Sequence, residues 1–146
     1  MSRHHRCGDS RRSARAAGCH LHPSGHDRKG DHRVRVVGNV QGENAQKVVV
    51  AEGSRVGGSV QVKQGEQAKV IDSRVIGDIQ FDDNGSKNVA RRNLVGGSVQ
   101  AFQNDGGVAI FGNRIDGNLQ CKENSPCPTG GGNIVGGNKE DQCRGF

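Results

Sequence analysis

Five aspartates, Asp72, Asp78, Asp82, Asp83 and Asp116, are the residues of this chain best suited to acid–base chemistry. Glycosidic cleavage needs two carboxylates held across a cleft at a set separation. Three of the five crowd into one short stretch, and only Phe81 and Phe102 stand nearby as platforms for a sugar ring. The run Asp82-Asp83-Asn84-Gly85 has the composition of a turn, in which Asn and Asp side chains bond the local backbone. Weak calcium binding is the alternative reading of that run. No catalytic, cofactor-binding or metal-ligating residue is assigned from these positions, and an enzyme is not expected.

The five cysteines offer a second chemistry. Cys7 and Cys19 stand with His20, His22 and His26 in the first part of the chain, but their spacing lacks the paired ligands of structural zinc sites. Cys121, Cys127 and Cys143 lie near the other end. A Cys121–Cys143 disulfide closing the last segment is the favoured reading, worth about 3 kcal/mol in the chain-entropy model. A buried free Cys121 with an idle Cys143, or a metal site on all three, are the alternatives. The favoured pairing leaves Cys127 over.

The formal charge of +6 is unevenly placed. Residues 1–35 hold the whole excess of Lys and Arg, and all six histidines, while residues 36–146 balance. Residues 1–33 are poor in apolar side chains and rich in charge, which predicts a disordered basic tail. No apolar run of about 7–15 residues follows the basic start, so no secretory signal is recognised. No stretch approaches the roughly 20 apolar residues of a membrane span. Nucleic-acid binding would therefore rest on the tail alone, and the charge is not read as a nucleic-acid-binding face of the folded part.

The elements that must position these groups follow from a repeat. Only 31% of the 146 residues are hydrophobic and 3% aromatic, against 24 glycines. Such a chain cannot fill a wide core, but stacked coils bury small β-branched side chains in a thin one. The motif apolar, any, Gly, small polar, apolar, Gln reads Val36-Val37-Gly38-Asn39-Val40-Gln41 and returns four times, the last as Ile115-Asp116-Gly117-Asn118-Leu119-Gln120. Its glutamines are Gln41, Gln61, Gln80, Gln100 and Gln120, at steps of 20, 19, 20 and 20 residues. A degenerate copy runs Val135-Gly136-Gly137-Asn138-Lys139-Glu140.

Side chains alternate across a strand. Pairs such as Val60/Val62, Ile79/Phe81, Val99/Ala101 and Leu119/Cys121 then face the interior, and the glutamines stack outward as a structural ladder, one per coil. The glycine before each strand marks a corner where a Cβ would clash or φ must be positive. Ser54, Ser73, Asn93, Asn113 and Asn133 share the inward phase and are expected to bond backbone groups of adjacent coils. Val48/Val50, Ala68/Val70, Val89 and Val108/Ile110 form a second apolar segment. The prediction is an all-β fold: a single-stranded parallel β-helix (β-solenoid) over residues 34–146, of about five coils of roughly 20 residues, right-handed by the crossover rule.

The stretch from Gly117 to Pro126, Gly-Asn-Leu-Gln-Cys-Lys-Glu-Asn-Ser-Pro, with Gly136-Gly137-Asn138-Lys139-Glu140-Asp141-Gln142-Cys143, resembles the C-terminus of secreted bacterial right-handed parallel β-helix proteins of unassigned activity. The resemblance covers about Val34 to Cys143. It implies an exported protein, a disulfide between Cys121 and Cys143, and no catalytic residues. The repeats distantly resemble bactofilins, cytosolic filament-forming β-helices, whose ends lack such cysteines.

The expected function is a non-enzymatic extracellular or cell-surface scaffold, with polysaccharide or a second copy of the chain as partner and no cofactor. A cytosolic bactofilin-like polymer and a carbohydrate-active enzyme are the alternatives. An ice-binding face of ordered threonines does not fit, since Thr129 is the single threonine. Nucleotide binding finds no Gly-rich loop between a strand and a helix.

Overall fold

The computed structural model describes residues 34–146; the expected tail of residues 1–33, with its cysteines and histidines, lies outside the described residues. The described chain is all-β. It winds through about five turns of a parallel β-solenoid with three sheets, and each coil contributes one strand to each sheet.

The first face is narrow, built from two-residue strands: Arg35–Val36, Arg55–Val56, Arg74–Val75, Leu94–Val95, Arg114–Ile115 and Ile134–Val135. The second, the glutamine face, stacks Val40–Glu43, Val60–Lys63, Ile79–Asp82, Val99–Phe102, Leu119–Lys122 and Lys139–Asp141. The third stacks Lys47–Val50, Gln67–Ile71, Asn88–Arg91, Val108–Phe111 and Thr129–Gly131. All pairing is parallel and in register, so Gln41, Gln61, Gln80, Gln100, Gln120 and Glu140 form one column.

Alternation places Val60, Val62, Ile79, Phe81, Val99, Ala101, Leu119 and Cys121 in the interior, each essentially without exposure. One inward pair differs from expectation. In the third coil Asn88 and Ala90 take the slots of Ala68 and Val70, and Val89 stands on the other side, in register with Lys69 and outside the core cluster. The corner before Asn88 is one residue longer than the corner before Ala68, so the strand's parity shifts. Asn88 survives burial because it receives a bond from Asn84 Nδ2 at 3.3 Å and donates to the Ser86 carbonyl at 3.2 Å.

The corner glycines work by close approach rather than by positive φ. Gly58, Gly77, Gly97, Gly117 and Gly137 all avoid the left-handed region. A Cβ on Gly97 would lie 2.8 Å from the Gly77 carbonyl oxygen and collide with Asp78 Oδ1. The left-handed corner positions fall instead on Gln64, Asp83, Gln103 and Glu123 after the glutamine face, and on Asp72, Arg92 and Gly112 after the third.

The C-terminal end is capped. Cys121 and Cys143 form a disulfide with Cα atoms 5.2 Å apart. Gln142 donates its backbone N–H to the Cys121 carbonyl at 2.9 Å, and Phe146 packs against the core and over Gly130. Cys127 is not left without a partner.

Candidate binding groove

Most polar side chains at the corners are committed to holding one coil on the next. Asn93, Asn113 and Asn133 are buried, and each donates Nδ2 to a backbone carbonyl of the preceding coil, at 2.7, 2.9 and 3.0 Å. Their Oδ1 atoms accept the backbone N–H of Ser73, Asn93 and Asn113. A second buried column, Asn84, Asn104, Asn124 and then Gln142, does the same at the opposite corner. The sequence reading missed this column. Its signal was the recurrence of Asn at 84, 104 and 124, hidden by reading the first as one residue of a turn. A third series, Asn39, Ser59, Asp78, Ser98 and Asn118, accepts backbone N–H groups at the corner before the glutamine face.

The five aspartates are dispersed. Asp78 belongs to that third series, accepting the Ser98 N–H at 2.8 Å. Asp82 ends its strand on the glutamine face, and Asp83 is the left-handed residue beside it. Asp116 is exposed at the corner after the narrow face. Asp72 sits across the solenoid from Asp82, in a two-point pair with Arg92: Nε to Oδ1 at 2.7 Å and Nη2 to Oδ2 at 2.9 Å. The Arg92 hydrogen bond holds the Asp72 carboxyl below its ordinary value, against a smaller opposing effect of burial. Among the described residues, no group of three or more His, Cys, Asp and Glu is arranged to hold a metal ion. Among them, too, no helix is long and apolar enough to cross a membrane.

A groove of about 940 Å³ runs along the corner between the third and narrow faces. One wall is the outward column of the narrow face: Arg35, Arg55, Arg74, Leu94 and Arg114. Its floor carries the buried Ser54, Ser73 and Asn93, and its other wall Gly53, Asp72, Arg92 and Gly112. It crosses five coils, or about 20 Å at the ordinary strand spacing. The net charge gave no sign of this line of cations. Residues 36–146 balance in total, but register gathers Arg55, Arg74 and Arg114 on one line with Arg35.

The two neighbouring faces treat charge differently. On the glutamine face the column Glu43, Lys63, Asp82, Phe102, Lys122 alternates in sign wherever charges meet. On the narrow face Arg35, Arg55 and Arg74 repeat the same sign in consecutive coils. Like charges directly opposite one another destabilise a sheet. Among the described residues the arginines of this column form no ion pair.

No protein-family model, curated protein or solved structure matches this chain.

Proposed function

We propose that the protein is a non-enzymatic β-helix scaffold of the extracellular space or cell surface that holds an extended polysaccharide along its long axis. The observation that carries this reading is the groove itself: a straight, open channel in which the same side-chain slots recur every coil. A repeating surface suits a repeating polymer better than a compact substrate. The candidate carboxylates are spread over three corners, Asp78 and Asp116 at one but two coils apart, Asp82 and Asp83 side by side at the next and Asp72 at the third, and two of them are already engaged by Arg92 and by the Ser98 N–H. A cleavage reaction would need a pair of them facing one another across a cleft.

The disulfide supports an oxidising compartment, where such bonds persist. The end-capping segment weighs against a bactofilin-like polymer, because Gln142, Cys143 and Phe146 cover the end on which another copy would stack.

Affinity gel electrophoresis of the oxidised full chain against a panel of neutral and acidic polysaccharides tests the reading. A retarded band with no release of reducing sugar is expected. Failure to be retarded by any of them overturns the polysaccharide reading. Sugar release would restore the enzyme alternative, and filaments in sedimentation the polymer one.

A further inference from the structure

We infer that the polymer held in the groove is a linear polyuronate, a polysaccharide with a carboxylate on successive sugar rings; the inference rests on the polysaccharide reading above. Three features of the groove converge on it.

The first is the uncompensated charge of Arg35, Arg55 and Arg74. Their strands stack at about 4.8 Å, so like charges stand opposite one another in consecutive coils and repel. The same fold avoids such repulsion on its glutamine face by alternating Glu43, Lys63 and Asp82. A local rule broken without compensation among the described residues points to a site whose compensation comes from a ligand. A polyanion laid along the column supplies it. Residues 1–33 carry a net positive charge, and no column of acidic residues occurs among the described faces for a second copy to offer.

The second is the groove's own worked case of recognition. Arg92 grips Asp72, one coil away, through two parallel N–H···O bonds. A side-on guanidinium–carboxylate fork is the strong and geometrically selective form of this contact. Arg35, Arg55, Arg74 and Arg114 line the same channel with the same group free to do so.

The third is the break in the column. Leu94, 41% exposed, separates Arg74 from Arg114. It offers an apolar surface to the C–H face of a sugar ring. Single-stranded nucleic acid is served instead by aromatic platforms, and none lines this channel.

The test is affinity electrophoresis and calorimetry of the full chain with polygalacturonate, its fully methyl-esterified form, a sulfated glycan, a neutral β-glucan and oligo(dT). Polygalacturonate should bind, weaken as salt rises, and lose at least about tenfold on methyl esterification. Arg55→Gln/Arg74→Gln should weaken it at least about tenfold, whereas Lys63→Gln, on the glutamine face, should leave it unchanged. The double variant should also melt no lower than the parent chain, since removing the two charges relieves repulsion. Equal binding of the esterified polymer or the neutral glucan overturns the inference and leaves the polysaccharide reading standing. Preference for the sulfated glycan or for oligo(dT) overturns it in favour of that polyanion. Binding that survives the double variant moves the site elsewhere, and binding of nothing removes both readings.

Discussion

Gln120 Nε2 donates to Glu140 Oε1 at 2.6 Å, and this last contact sets the direction of the whole outer ladder. A carboxylate only accepts. Gln120 must therefore turn its amide nitrogen toward the C-terminal end, and each glutamine before it follows: Gln41 to Gln61 at 3.0 Å, Gln61 to Gln80 at 2.5 Å, Gln80 to Gln100 at 2.7 Å and Gln100 to Gln120 at 2.8 Å. The ladder is polar, and its order of residue types is not interchangeable.

Gln100→Glu should therefore cost more than Glu140→Gln. The first places an acceptor against the Gln120 oxygen in mid-ladder, for an expected loss of about 1–2 kcal/mol in urea unfolding at neutral pH. The second leaves an acceptor where one is needed and should stay within about 0.5 kcal/mol. Equal losses would show that the bonds carry no direction.

Asn104→Ala should be among the costliest polar substitutions. It strips the buried Asn84 N–H of its acceptor and the Phe81 carbonyl of its donor. Each orphaned group costs about 1–3 kcal/mol, so a loss near 3 kcal/mol or more is expected by denaturant titration. Gln103→Ala, at the exposed neighbour, is the control and should change stability by about 0.5 kcal/mol or less.

Gly97→Ala should destabilise by about 1–3 kcal/mol, because the new methyl group meets the fixed backbone of Gly77. Gly131→Ala should not, since a Cβ there meets nothing within 4 Å and φ is not positive. Thermal melts of the two variants separate close approach from a general intolerance of side chains.

Replacing both Cys121 and Cys143 by Ser should cost about 3 kcal/mol for a sequence separation of 22 residues. The loss should concentrate at the cap. Hydrogen exchange should rise first at Gln142 and Asn133, whose N–H groups bond the Cys121 and Phe146 carbonyls. Uniform loss of protection along the solenoid would contradict a local cap.

Arg92 holds the Asp72 carboxyl below its ordinary value of 3.8. A folded pKa below the unfolded one contributes stability above the unfolded pKa, lost as pH falls through the folded value. The stability difference between the parent chain and Asp72→Asn should therefore be constant above about pH 5 and shrink in acid. Both partners are exposed, so the difference is small at any pH. A difference that grows in acid would reverse the sign and remove the pair.

Much of the fold was legible in the residues because a solenoid repeats its solution. The recurrence of Gly-small-apolar-Gln every 19 or 20 residues specified the coil length, the parallel pairing, the inward apolar pairs and the glutamine column before any contact was known. The inward Ser54, Ser73, Asn93, Asn113 and Asn133 were equally readable, since they keep a constant offset from the corner glycine. What the period could not supply was the length of each corner. The second coil lacks both the extra residue that Glu52 and Gly53 give the first and the one before Asn88 in the third.

Side-chain direction is counted from the start of each strand, so one residue more in a corner exchanges inside for outside. That is why Asn88 entered the core in place of Val89. The arginine column escaped notice for a related reason. Net charge sums over the chain and erases position, and Leu94 and Ile134 interrupt the recurrence of Arg. The residues and their period were determined by the sequence itself. Only the tertiary register, accumulated corner by corner, decided that Arg35, Arg55, Arg74 and Arg114 share one wall of one groove.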